Sequence, residues 1–388
     1  MKFMTSEITL PSPPWNSEIV RIILDLEKLR QRRLYSEVPY HIFSQLKNIF
    51  QLLETLGSAR IEGNNTTLSE YVEKIIEQEA HVDEKQQELD NIKQAIAFIE
   101  SNTDHKTSIN RAYLSELHTI VTQRLSPPPK GEGSNHPGAR RPHNVSIRKA
   151  GHRPPDVAVL EEYLEKFIQF INAPHASQNQ LLMVAIAHHR FMYIHPYDNG
   201  NGRMGRLLNY ALLLKLGFNV SVGGRIFNPS SVFYTNRDKY YAMLASADRL
   251  SESDQLQWSE YFLLGLKDQI EKIEHLLDRD YTRDFILLPA LKRALDRHYI
   301  TKQEHDILTY LVKKTEMGMK ASELSRFGYE NSQQKSYVMG KLRDKKMVRP
   351  TEPNGRTYTI HFVNSYLLRS VIHTLEEQGF IADFLNRH

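Results

Sequence analysis

The feature that most constrains this chain is a pair of apolar helical runs separated by one short polar loop. Gln180 to Met192 has LLMVAIA at its centre and is apolar on every side, so it reads as a buried central helix rather than an amphipathic surface one. His195-Pro196-Tyr197-Asp198-Asn199-Gly200-Asn201-Gly202 interrupts the run. Helix resumes from about Asn201 to Leu216 and stops at Gly217, a residue suited to the left-handed conformation that ends helices. Two buried helices thus flank one polar loop, and that loop is where chemistry is expected.

The remaining pattern extends this helical reading. Ile22, Leu24, Leu26 and Leu29, then Ile42, Phe43, Leu46, Ile49, Phe50 and Leu53, recur at three-and-four spacing and predict helices across Asn16 to Thr103. Ser126 to Pro155 holds too many Pro and Gly residues for helix, but Asn144 to Arg148 alternates polar and apolar and predicts a short exposed strand or hairpin. Helices are expected again over Val157 to Asn172 and Trp258 to His275, followed by a charged connector to Arg297. Thr301 to Lys313, Lys320 to Phe327 and Ser332 to Asp344 then read as three short helices. Met347 to Arg349 and Arg356 to Phe362 read as strands around Pro353-Asn354-Gly355, which together suggest a winged helix.

A chain of 388 residues exceeds the ~150 residues usual for one domain, so two or three cores are expected. The fold class is mainly α, divided into an N-terminal helical region (1–110), a helical core with a short β-hairpin (111–270), a helical connector (271–298), a winged-helix-like α+β domain (299–363) and a helical tail (364–388). The net charge of +4 is unevenly spread, because Thr301 to Phe362 alone carries twelve Lys/Arg against seven acids. The absence of cysteine excludes disulfides, iron–sulfur clusters and thiol nucleophiles, so any metal must use His, Asn or carboxylate. MKFMTSEITLPSPPW lacks the apolar stretch of a signal peptide and no run approaches ~18 apolar residues, so a cytoplasmic location with no membrane contact is expected.

Within the polar loop, Gly200 and Gly202 remove side chains where the backbone enters a helix, leaving N–H groups able to approach an anion. Arg203 and Arg206 lie one turn apart on one helical face, a spacing suited to successive phosphates of one nucleotide. His195 precedes this cradle, where a neutral imidazole can take a proton from an incoming hydroxyl. The loop resembles the Fic-family signature His-Pro-Phe-x-Asp/Glu-Gly-Asn-Gly-Arg-x-x-Arg, with Tyr197 in place of Phe and Asn199 in place of the acid. The resemblance implies a Fic-type helical core that transfers AMP from ATP to a protein hydroxyl. It implies His195 as general base, Gly200, Asn201 and Gly202 as anion cradle, Arg203 and Arg206 as phosphate clamps, and position 199 as the magnesium ligand. An Asn there offers a weaker, uncharged oxygen.

Other segments fit the same family. Lys239 to Asp248 (KYYAMLASAD) resembles a stretch lining the family's adenine pocket, which implies cofactor-side roles for Tyr240, Tyr241 and Asp248; the tyrosines fit a core equally well. Val145, Ser146 and Ile147 fall where the family has its target-binding flap, although the same strand fits any loop. Ser58-Ala59-Arg60-Ile61-Glu62-Gly63 resembles the family's inhibitory motif, Ser/Thr-x-x-x-Glu-Gly/Asn. Ser58 and Glu62 share a helical face, and the same spacing fits a solvated helix. In the family this Glu pairs with the second signature Arg, here Arg206, and blocks the γ-phosphate.

These residues lead to an autoinhibited protein adenylyltransferase with ATP as substrate and magnesium as cofactor. Its partner is a protein bearing a Ser, Thr or Tyr hydroxyl, itself included. DNA is a candidate partner of the C-terminal domain, with protein binding or dimer packing as the alternative use of that module. The oligomeric state stays open, a homodimer among the options. Two rival readings remain: a catalytically impaired nucleotide-sensing transcription regulator, and a Fic enzyme using another nucleotide donor.

Overall fold

The computed structural model describes residues 7–31, 36–77, 83–147, 152–218 and 229–386. Over them the chain is mainly helical. The elements up to the polar loop are α1 (Glu18–Gln31), α2 (Tyr40–Glu62), α3 (Leu68–Glu77), α4 (Glu84–Asn102), α5 (Arg111–Thr122), α6 (Leu160–Asn172) and α7 (Ser177–Ile194). Beyond it follow α8 (Asn201–Lys215), α9 (Ser231–Tyr234), α10 (Arg237–Ala247), α11 (Glu252–Leu277), α12 (Arg279–Tyr281), a π-helical turn (Thr282–Leu287) and α13 (Leu288–Asp296). The last part comprises α14 (Lys302–Lys313), β1 (Gly318–Lys320), a 3-10 helix (Ala321–Phe327), α15 (Ser332–Asp344), β2 (Val348–Pro350), β3 (Thr357–Ile360) and α16 (Leu367–Glu377). No helix among the described residues is long and apolar enough to cross a membrane.

The two runs read as buried helices are α7 and α8, which pack on each other. Leu181 to Phe191 is buried without a break, as is Asn201 to Leu214. Because both are covered all round, they need a shell, and α2, α4, α5, α6 and α11 supply it. α2 is itself central, with every residue from Leu52 to Ile61 buried, so Ser58 does not lie on a solvated face. Gly57 lets α9 approach it: a Cβ there would sit 2.1 Å from the Tyr234 ring. Gly63, at φ +120°, ends α2 and donates its N–H to the Arg60 carbonyl.

The C-terminal sheet is antiparallel in the order β1-β3-β2, with Met319 opposite Tyr358 and Arg349 opposite Thr359. Strand β1 was not read from sequence. The helix expected over Lys320 to Phe327 is instead the end of β1 followed by a 3-10 turn. Capping boxes start α14 (Thr301 with Glu304) and α15 (Asn331 with Gln334). This module does not hang free. Buried Gln45 of α2 donates to the Ile360 carbonyl (3.0 Å) and accepts from the Phe362 N–H (2.8 Å), and Arg349 donates to the His41 carbonyl (3.2 Å).

The strand expected over Asn144 to Arg148 is reduced, among described residues, to a single bridge between Ile147 and His152; Arg148 lies outside them. The reason is local: Asn144 turns its side chain to the next loop, accepting from the Val157 N–H and donating to Asp156, both at 2.7 Å.

Candidate active site

His195 is the residue on which α7 ends. Its backbone is left-handed (φ 51°, ψ 60°), a conformation costing a non-glycine residue about 1–2 kcal/mol, so the surroundings must hold it. They do so through Arg141, whose side chain is 1% exposed. Its Nε donates to the His195 carbonyl (2.9 Å), Nη1 to the His143 carbonyl (2.9 Å) and Nη2 to the Pro155 carbonyl. The Arg141 N–H adds a bond to the Pro196 carbonyl (2.8 Å). One guanidinium thus ties the turn after α7 to His143, just before Val145, Ser146 and Ile147, and to Pro155 at the far side of the loop. Burial pushes the His195 imidazole down to about 4, with His152 and Arg141 adding in the same direction, so the ring is neutral at physiological pH.

The loop after His195 is closed by Asn201, whose amide accepts from the Tyr197 N–H (3.0 Å) and donates to its carbonyl (2.9 Å). His118, stacked on Tyr197 at 3.8 Å, braces the other side. It accepts from the Gly138 N–H at Nδ1, so Nε2 carries the proton and donates to the Asn199 carbonyl (3.1 Å). Gly200, at φ +75°, then delivers the chain into α8.

Arg206 is 1% exposed. Its Nε donates to Ser58 Oγ (2.9 Å), and its Nη2 donates to the Ser58 carbonyl (2.9 Å) and to Glu62 Oε1 (2.7 Å). Burial alone would raise the Glu62 carboxyl, but Arg206, with Arg203 and Arg237 beyond it, holds it below the ordinary range. Gly202 makes room for this pair, since a Cβ there would lie 2.0 Å from Glu62 Oε1. Arg203, fully buried, faces Glu88 (3.2 Å) on α4 and donates to the Glu132 carbonyl (2.5 Å). Glu88 is in turn held by Asn64 (2.8 Å), two residues after Glu62. Nη1 of Arg206 and Nε of Arg203 are buried and make no hydrogen bond among the described residues. Each buried unsatisfied donor costs about 1–3 kcal/mol, which marks this spot as built for a further acceptor.

Asn199 directs its amide N–H to the Gly133 carbonyl (3.0 Å) and to Glu132 (3.4 Å). Its neighbour Asp198 is used up by the 134–136 turn, accepting from Ser134 Oγ (2.5 Å) and the Asn135 N–H (2.9 Å). Among the described residues no cluster of three His or carboxylate side chains could hold a metal alone. Tyr240 is fully buried with its hydroxyl on His188 (2.9 Å), while Tyr241 is half-buried beneath Arg237. Asp248 spends its oxygens on His189 (3.0 Å) and His152 (3.4 Å), linking α7 to the end of the 145–152 segment. Arg141, His118, Glu88 and Glu132 were not singled out from sequence. They are distant in the chain, and only the paired glycines around Glu132 hinted at a tight approach there.

Residues 108–213 match the model of the Fic/DOC family. The chain is 30% identical over 196 residues to "Protein adenylyltransferase Fic" of Drosophila yakuba, and equally so to that of Drosophila melanogaster; the match takes in 49% of this chain but 36% of each relative. The fold is similar to that of a Fic family protein from Desulfovibrio desulfuricans (TM-score 0.56, 16% identity), over 91% of this chain and 98% of that one. It is also similar to a Fic domain containing signaling protein from Bacteroides thetaiotaomicron (TM-score 0.51, 16% identity), over 67% and 97%.

Proposed function

We propose, from the premise that the chain carries a Fic/DOC-family domain over residues 108–213, that it is a protein adenylyltransferase held inactive by Glu62. The observation that carries this reading is the pair of buried arginines with unused donors at the start of α8, joined by the 196–200 loop to a neutral imidazole held in a strained backbone. A triphosphate fits those donors and the helix N-terminus better than any neutral ligand. His195 takes the proton of a target Ser, Thr or Tyr hydroxyl. The hydroxyl oxygen bonds to the α-phosphorus, the bond from that phosphorus to the α,β-bridging oxygen breaks, and pyrophosphate leaves with the electron pair. Arg203 and Arg206 bind and orient the phosphates, Gly200 and Gly202 allow the backbone close, and Asn201 keeps the loop in shape. Magnesium arriving with the nucleotide would supply charge neutralisation at the phosphates, and Asn199, at the signature's metal position, would offer it a neutral oxygen.

Glu62 and Ser58 use the Arg206 donors that the γ-phosphate needs, so ATP binds without its reactive alignment. Val145, Ser146 and Ile147 are the proposed target edge, held to the site by Arg141 below and by Asp248 through His152. Tyr241 is better placed than buried Tyr240 to meet a base.

Glu62→Gly in the full chain should raise AMP incorporation, including self-modification, at least tenfold, because Arg206 gains freedom to bind phosphate. His195→Ala in that background should remove transfer and leave ATP binding by calorimetry largely intact. Intact-mass spectra in which Glu62→Gly gains no more AMP than the parent would end the inhibitory reading.

A further inference from the structure

A carboxylate beyond those paired with Arg203 and Arg206 from α4 and α2 is out of place in a polyphosphate site, yet this one has a third. Glu132, on the loop between α5 and α6, leans over the start of α8, with one oxygen 3.4 Å from Asn199 Nδ2 and 3.4 Å from Arg203 Nη2. The position is fixed rather than incidental. Arg203 grips the Glu132 carbonyl, and glycines flank the residue where side chains cannot fit: a Cβ on Gly131 would lie 2.2 Å from Glu84, and one on Gly133 2.2 Å from the Leu125 carbonyl. The carboxylate itself stays 41% exposed and its second oxygen accepts no hydrogen bond among the described residues. Phosphates bound to Arg203 would lie close to it, and like charges at that range repel strongly in a partly dry site. A divalent cation between carboxylate and phosphate turns that repulsion into attraction.

We infer that Glu132 supplies, from outside the signature loop, the anionic magnesium ligand that Asn199 lacks. The inference rests on the proposed nucleotide site. Magnesium suits the arrangement because it commonly takes one or two carboxylates, the rest of its shell coming from phosphate oxygens and water. Asp198 is committed instead to the 134–136 turn through Ser134, Asn135 and His136. The rival reading is that Glu132 restrains Arg203 as Glu62 restrains Arg206, competing with phosphate instead of helping it.

The test uses the full chain, with and without Glu62→Gly, and an ATP analogue whose α,β-bridging oxygen is a methylene, so that nothing is transferred. Manganese is the probe, and its binding is read from loss of the free-ion paramagnetic resonance signal. Glu132→Gln, nearly isosteric and at a half-buried position, should weaken manganese binding to the protein–nucleotide complex roughly tenfold or more. Asn199→Asp alone should tighten it, and adding Asn199→Asp to Glu132→Gln should restore parental affinity to within about threefold, a rescue that a merely structural Glu132 does not give. Unchanged manganese affinity in Glu132→Gln overturns the inference. So does tighter nucleotide binding in that variant at saturating manganese, which is the signature of the rival. If the parent and the Glu62→Gly chain both fail to bind nucleotide, the site reading itself falls and this inference with it.

Discussion

At the start of α8, Arg203 and Arg206 are 0% and 1% exposed, and each faces a carboxylate from another helix. On the C-terminal module Lys341, Arg343, Lys346 and Arg356 are exposed, and none is in an ion pair among the described residues. Charge counting treats these cations alike. Desolvation separates them: a buried guanidinium without partners is very costly, so the first pair is tied into the fold, while solvated cations are left for something outside it. Buried charges near the loop should therefore govern stability and catalysis, and exposed ones should govern only encounter with a partner.

The strongest way to break that contrast is Arg141. Removing this buried guanidinium strands three carbonyls, so Arg141→Ala should cost about 3–5 kcal/mol in urea unfolding. Arg141→Lys keeps the charge but cannot reach three acceptors, and should recover less than half of the loss. A variant within 1 kcal/mol of the parent would mean that the His195 turn holds itself.

Glu54 sharpens the comparison from the acidic side. It is 3% exposed on α2 and accepts from Ser230 N–H and Oγ; burial pushes its carboxyl up to about 7, against an ordinary value near 4.5, with the Ser230 bonds and Arg206 only partly opposing this. Between those values the folded protein holds a proton that the unfolded chain has lost. Stability from this group is therefore intact below about 4.5 and falls as pH rises through about 7, by up to roughly 3 kcal/mol. Glu54→Gln, able to donate to Ser230 Oγ and accept from its N–H, should flatten that decline. Parallel stability–pH curves for the two proteins would remove Glu54 from the account.

Sequence made the helix pair and the loop legible because both signals are local: unbroken apolarity over α7 and α8, and glycines at 200 and 217 where φ is +75° and +84°. The partners of that loop were not legible. Arg141 sits in a stretch whose Pro and Gly residues say only that helix is absent, and Glu88 meets Arg203 across 115 positions of chain that carry no local sign of the contact. Strand β1 was missed for the same reason, since three residues become a strand only by pairing with β3. Arg349, counted among the basic residues of the C-terminal module, is spent on the His41 carbonyl.

The smallest effect on stability should come from the exposed set. Neutralising Lys341, Arg343 or Arg356 to Gln touches no ion pair or buried group, so each should change unfolding free energy by less than about 0.5 kcal/mol. Binding is where they should matter. On α15 Lys341 and Arg343 share a helix with exposed Gln333, Gln334 and Tyr337, and Arg356 lies on the turn between β2 and β3, an arrangement suited to duplex DNA, the candidate partner expected from sequence. Each cation on a phosphate adds about one to the slope of log affinity against log salt, so each neutralisation should lower the slope by about one whatever the DNA sequence. Fluorescence anisotropy with the full chain across a salt series reads this directly. A slope that stays the same in all three variants would show that these cations are only solvated, and would leave the protein-binding use of the module as the better account.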